Sequence, residues 1–519
     1  IGSALALFTL EHLLDGYASD PVIRQRLDSH VIYIVPRANP DGAEQMFAPV
    51  QSGRRTNSSP FDADNDGRVD EDGPDDLNKD GLITLMRVKD PKGPYAVSPD
   101  DGRLMRKADP SRGEVGGYAL YWEGVDDDHD GFYNEDAAGG VDINRNFMHQ
   151  YPYFQPDAGP HMVSEAETRA LLDFVLAHRN IAAILTFGES DNLISPPGRR
   201  GEAGSPPALV DLFDFADRSN TEARKVGIFE EPAAGFARGF GGGRPPGGMM
   251  PGQRASQQPA GRAAAPARQP ATSVNVSDAE YFRAISDRYR ELTGLRTAGV
   301  VRGPTGAFHE YGYYQFGVPS FSTPGWGLPG TGRAAAGATD SGRPAVPPGA
   351  STGRGRPGTP GAPEADVAPA QGVDLRLLQW MDAEKVDGFV PWTPFTHPTL
   401  GDVEIGGFKP YAATNPPAAQ VKALGEAHVK FILHLSSLFA KVRFAKAEAT
   451  ALGAGLYRVK AEVENTGYFP TALAHAVTAR AVLPTKVQLD VPPDTIVTGN
   501  DKTNYVATLT GSGGRQAFE

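Results

Sequence analysis

The 519-residue chain contains no cysteine. That single absence removes disulfides, thiolate metal sites and a cysteine nucleophile together. No run of eighteen apolar residues occurs, so no membrane-spanning helix is predicted. Aromatic residues make up 9% and apolar residues 40%, diluted by 61 Gly and 45 Pro, which still suffices for a large α/β domain and a smaller one. Basic residues are outnumbered, with a net charge of −13, but the deficit is local. Segments 62–80 and 126–136 hold nine and six acidic residues against only Arg68 and Lys79, and the rest of the chain is balanced. The acidity therefore describes sites and not a general preference for basic partners.

Helical spacing predicts helices over 3–16, 164–179, 277–295 and 418–442, the second opened by a Ser164/Glu167 capping box. "HVIYIVPRANPDG" (30–42) reads as a buried strand running into a Pro/Asn/Gly turn, and "IAAILTFGESDN" (181–192) as a short apolar strand breaking at Gly188. Strands alternating with helices imply a mixed sheet covered on both faces. Residues 232–272 and 327–372 are Gly/Pro/Ala/Arg-rich and predict disordered insertions. The first contains "GFARGFGGGRPPGG", similar to an arginine-glycine RNA-binding tract, but no basic folded surface supports it, so nucleic acid is not an expected partner. From residue 443 the pattern alternates with period two and turns at Asn465–Gly467, which predicts a small β-sandwich over 443–519. The chain reads as a fragment that starts inside a helix and stops without a terminating signal, so a secretory signal would lie outside it.

Three acidic stretches share one layout: "DADNDGRVDED" (62–72), "DLNKDGLIT" (76–84) and "DDDHDGFYNED" (126–136). Oxygen-bearing side chains stand at first, third and fifth positions, with Gly at the sixth for a sharp turn, a spacing that converges on a hard cation. Asp62, Asp64, Asp66, Asp70, Asp76, Asn78, Asp80, Asp126, Asp128 and Asp130 are the candidate calcium ligands. The twelfth positions are Gly73, Arg87 and Ala137, so these are not complete EF-hands. The expected role is structural, pinning insertions 56–90 and 124–138.

"GGVDINRNF" (139–147) places Arg145 between two carboxamides. A turn explains the asparagines; an anion clamp, with Arg145 forking onto a carboxylate beside Asn144, explains the whole triplet. The neighbours decide. "VIYIVPRANPDGAE", "GGVDINRNF", "SEAETRAL" and "TGAFHEYGYY", in that order over roughly residues 1–440, resemble the zinc carboxypeptidases related to carboxypeptidase A. The acidic insertion and "HPTLGDVEIGG" (397–407) are similar to a bacterial branch of that family.

The resemblance implies a three-layer α/β/α sandwich around a mixed, mostly eight-stranded sheet, spanning residues 1–442. It implies that Asn144 and Arg145 grip the C-terminal carboxylate of a peptide substrate. Arg54 or Arg55 would polarise the scissile carbonyl, and Tyr313 would close over substrate. It also implies zinc, held by an HxxE pair that would precede residue 1 and by a histidine whose position here is Phe187 or Gly188. The general-base glutamate would stand where the chain has Pro324 in "FSTPG". Glu189, Asp191 and His309 are the remaining stand-ins for lost ligands.

Catalytic zinc needs three protein ligands and a water whose proton a base accepts. Two internal replacements on different strands remove two separate functions. The expectation is therefore a family member that recognises the free carboxylate of peptides or peptidoglycan stems with impaired catalysis. The alternative is an active zinc metallocarboxypeptidase, and either version is expected to be secreted or periplasmic.

Overall fold

A computed structural model describes residues 1–60, 68–70, 72–127, 133–134, 140–197, 271–298, 301–328, 373–492 and 495–519. Helix Gly2–Gly16 buries Leu5, Thr9 and Leu13, one residue per turn on a single face. It lies against the long helix Ala418–Ser437, where the Phe8 ring takes the space a Cβ at Gly425 would need. Helix Ala279–Thr293 buries Phe282, Ile285, Ser286 and Tyr289 and stops at Gly294, whose φ of 74° suits a left-handed cap. These helices enclose the main core, in which Phe282, Ile285, Tyr289, Phe321 and Phe431 meet Phe469 and Leu473 from the C-terminal region. Of the expected helices, the first three end within two residues of the predicted bounds. The fourth ends at Ser437 because strand pairing begins at Val442.

The sheets differ from the expected single mixed sheet. The largest among the described residues has six strands and is antiparallel throughout, in the order β3-β2-β4-β1-β8-β7. Its strands are β1 (Leu85–Lys89), β2 (Tyr95–Val97), β3 (Met105–Lys107), β4 (Tyr118–Trp122), β7 (Phe389–His397) and β8 (Gly401–Phe408). The antiparallel neighbours β2 and β3 need only the short connection "PDDG", whereas "DPKG" carries the chain from β1 to β2, which β4 separates in the sheet. Among the described residues, the parallel strand pair is β5 (Ile184–Phe187) with β6 (Ser320–Thr323), in register Ile184 to Ser320 through Phe187 to Thr323, and an isolated parallel bridge joins Gln51 to Leu82. All four residues of β6 are buried; the hydroxyls of Ser322 and Thr323 find partners outside the strand, Thr323 lying 2.8 Å from the Tyr289 hydroxyl, while Ser320 Oγ is buried with no hydrogen-bond partner among the described residues.

Residues 31–35 are extended and alternate in exposure, yet among the described residues they enter no ladder. The following "NPDG" is not a turn but a helix start: the Asn39 side chain caps helix Pro40–Glu44, accepting from Gly42 N at 3.0 Å. The Ser164 capping box does not form either. Helix Ala166–Ala177 begins after Glu165, and Ser164 Oγ instead accepts from Asn146 and donates to Glu165.

At the C-terminal end, β9 (Val442–Gly453), β10 (Leu456–Asn465) and β13 (Gly514–Phe518) form a three-stranded antiparallel sheet. A separate two-stranded sheet joins β11 (Thr485–Gln488) to β12 (Thr503–Val506). The turn after β10 is held by Gly467 N donating to Asn465 Oδ1 at 3.0 Å. The Gly/Pro-rich segment 232–270, the segment 329–372, and Asp62, Asp64, Asp66, Asp128 and Asp130 lie outside the described residues.

Candidate functional site

A cavity of about 1100 Å³ opens between helix Gly2–Gly16, the extended 31–35 segment and the β5 end. Leu7, Ile32, Ile34, Phe174, Leu185 and Ile432 supply apolar wall. Its charged lining comes mainly from one connected cluster of side chains around Arg145.

The local chain shape explains the cluster. Asp142 caps a short 3-10 turn, Ile143–Arg145, by accepting from Asn144 N at 2.9 Å. Ile143 and Phe147 anchor the turn in a second core cluster. Asn146, the second carboxamide of the triplet, is a buried clamp: its Nδ2 reaches Ala158 O at 2.8 Å and Ser164 Oγ at 2.9 Å. Asn144 points the other way, accepting from Phe308 N at 3.1 Å and donating to Ser190 Oγ at 3.4 Å.

Arg145 Nε lies 2.9 Å from Asp157 Oδ1, with the side chain 18% exposed. This is an ion pair without a hydrogen bond from Nε. Arg302 faces the same carboxylate at 3.0 Å, Asp142 at 3.7 Å and Glu189 at 3.4 Å. Arg55 Nη1 reaches both Glu189 oxygens, at 2.7 and 2.8 Å. Three guanidiniums thus alternate with three carboxylates. Burial pushes the Asp142 carboxyl up to about 6; Arg55 opposes the shift while Asp157 and Glu189 add to it. The loop carrying Arg302 meets the Arg145 turn backbone to backbone: Phe147 N donates to Gly306 O at 2.9 Å. Gly306 has a φ of 73°, and a Cβ there would sit 2.2 Å from Arg145 O.

The other expected residues fall as follows. Arg55 lines the cavity, whereas Arg54 is not among its lining residues and offers its carbonyl to the Tyr411 hydroxyl at 2.8 Å. Tyr313 lies in the main core, 3% exposed, away from the cavity lining. Its hydroxyl accepts from Asn275 N and donates to Asp278 Oδ2, both at 2.9 Å. Burial beside Asp278 raises its pKa. The side chain is thereby fixed as a core strut in place of the expected closing flap.

At the β5 end, the Phe187 ring packs edge-on against His428 at 5.3 Å, and Gly188 has no side chain. Pro324 has no proton-accepting side-chain atom. Asp191 is used as a backbone cap, accepting from Leu193, Ile194 and Ser195 N. Glu189 is taken by the two arginines. No group of three or more His, Asp or Glu residues that could hold a metal occurs among the described residues. The donors present do not fit the family's zinc.

Where it is described, the second acidic stretch turns back on itself. Asp76 accepts from Asp80 N at 3.1 Å and Gly81 N at 2.7 Å; Asn78 accepts from Asp80 N at 2.8 Å; Asp80 accepts from Leu82 N at 2.9 Å. Buried Glu123 ties the stretch to its surroundings by accepting from Asn78 N and Thr84 N.

Residues 1–76 and 115–238 match the zinc carboxypeptidase family, and residues 441–519 match a domain of unknown function (DUF8731). Over the former residues the chain is similar to the zinc carboxypeptidase family. No curated protein and no solved structure matches the chain. Among the described residues no helix is long and apolar enough to cross a membrane.

Sequence reasoning missed Arg302, Asp157 and Ser190, and treated Asp142 only as context. Arg302 sits in "VRGPTG", where Pro304 and Gly306 announce a turn but nothing announces its direction.

Proposed function

We propose that the chain recognises the free C-terminal carboxylate of peptides and is impaired in the zinc-dependent hydrolysis of its family. The observation that carries this is the Arg55–Arg145–Arg302 cluster at the cavity, held in place by carboxylates that an incoming one can exchange with. A guanidinium satisfies a carboxylate bidentately, and the exchange keeps each charge paired throughout. Asn144 supplies the neighbouring amide. Arg55 is the upstream arginine of this reading, and Tyr313 has no part in it. Phe187, Gly188 and Pro324 carry neither a ligand nor a base, which supports impairment.

Peptidoglycan stem peptides are natural ligands on this reading, in a secreted or periplasmic setting. Calcium in the acidic stretches is part of the same reading and rests on their residue spacing; in the described 76–84 stretch the Asp76 carboxylate accepts from backbone amides. The family match favours a second reading, an active zinc carboxypeptidase.

Calorimetry with one peptide, free and amidated at its C-terminus, tests the proposal. Preference for the free acid by about tenfold or more is expected; equal affinities would end it. Turnover of a blocked dipeptide that appears with added zinc and vanishes on chelation would establish the second reading.

A further inference from the structure

Ser190 occupies a position that carboxylate recognition leaves unexplained. It stands three residues after the end of β5, lines the cavity beside Asn144, and is 2% exposed. Its Oγ lies 3.4 Å from His309 Nδ1 and 2.8 Å from Ser322 Oγ. Ser322 spends its own hydroxyl hydrogen on the Ser190 carbonyl, at 2.9 Å. The Ser190 hydrogen therefore has two acceptors, Ser322 and His309, and a rotation about the C–O bond moves it between them.

His309 is 2% exposed on the short helix Phe308–Tyr311. Its Nε2 faces Glu310 Oε1 at 3.3 Å. A proton on Nε2 is favoured by that carboxylate, which leaves the Nδ1 lone pair facing Ser190. The other oxygen of Glu310 has His149 Nε2 at 3.7 Å. Burial pushes His149 down to about 4, so it stays neutral and leaves the carboxylate charge to His309. Among the described residues the amides of Glu189 and Ser190 have no acceptor, and Asn144 Nδ2 already points at Ser190 Oγ. These are donors for a negative oxygen developing beside the nucleophile.

We infer that Ser190, His309 and Glu310 form a nucleophilic relay that cleaves an acyl bond of a peptide amide or ester held by its terminal carboxylate. The substrate class rests on the carboxylate-recognition reading; the relay itself does not. Ser190 Oγ bonds to the acyl carbon as its proton passes to His309 Nδ1, and Glu310 holds the resulting imidazolium. The scissile bond to nitrogen or oxygen breaks, and the leaving group takes that proton. Water then attacks the acyl-serine by the same route, releasing the acid and returning the proton to Ser190.

The experiment incubates the full chain with a fluorophosphonate probe and maps the adduct by mass spectrometry. An adduct at Ser190 is expected, absent in Ser190→Ala and slowed about a hundredfold in His309→Gln. Glu310→Gln should slow it about tenfold, and Glu310→Asp should restore most of the rate. Each variant is compared at matched thermal unfolding, so a folding defect is not read as a chemical one. A folded wild-type chain without the adduct, or His309→Gln labelled at the wild-type rate, overturns the relay. The probe carries no carboxylate, so labelling tests the relay alone, whereas wild-type preference for free over amidated peptides tests the clamp alone.

Discussion

Two regions of this molecule concentrate carboxylates, and they neutralise them differently. In the Asp76–Leu82 turn the partners are backbone amides of the same turn. Around Arg145 they are guanidiniums arriving from residues 55, 145 and 302, far apart in sequence. An amide cannot leave its turn without unfolding it, so the first region holds shape. A guanidinium on a long side chain can trade one carboxylate for another at little change in charge, so the second region can bind.

The sharpest way to break this comparison is Arg145→Ala. It should weaken binding of a free-acid peptide about a hundredfold, from loss of a charge-assisted pair worth about 3 kcal/mol, and leave the amidated peptide unaffected. Calorimetry on both peptides decides; an equal loss for both would make Arg145 structural.

Second is pH. Asp142 titrates near 6 in the folded chain. As pH falls through that value its carboxyl becomes neutral and stops competing for Arg302 and Arg55, so carboxylate affinity should rise. The rise ends at about pH 4, where the peptide's own terminus begins to protonate. Asp142→Asn keeps the helix-cap acceptor but not the charge. It should bind about tenfold more tightly at pH 7 than wild type and show a flat profile between pH 5 and 8. A wild-type profile that falls on acidification would show that Asp142 is no competitor.

Third, Asp76→Ala should lower stability by about 2 kcal/mol, through two orphaned amides, without altering peptide affinity. Thermal unfolding with and without calcium extends the test: calcium should raise the wild-type midpoint and not the variant's. The smallest effect is expected from Tyr313→Phe, about 1 kcal/mol of stability from a lost hydroxyl, with peptide affinity unchanged. Loss of affinity there would restore Tyr313 to the binding site.

Much of the helical framework was legible because apolar residues recur at helical spacing, as Phe282, Ile285 and Tyr289 do. The turn at Asn465 was legible because the Asn side chain makes its own bond two residues on. The six-stranded sheet was not. Its strands are three to five residues long between 85 and 122, too short to display a period, and the flanking charge drew attention away. The burial of Tyr313 and its bond to Asp278 were not legible, because a tyrosine in a motif shows neither. Asn144 and Arg145 stood out through their motif, but Arg302 reaches the cluster only through tertiary contact, and sequence spacing carries no trace of that.

Gly306 has a mechanical consequence. Because its α-carbon rests against the carbonyl of Arg145, with no room for even a methyl group, the strip bearing Arg302 cannot slide without pushing the Arg145 turn. Two of the three guanidiniums are geared together at one hydrogen-sized tooth. A side chain placed there would change the spacing of the fork without touching either arginine.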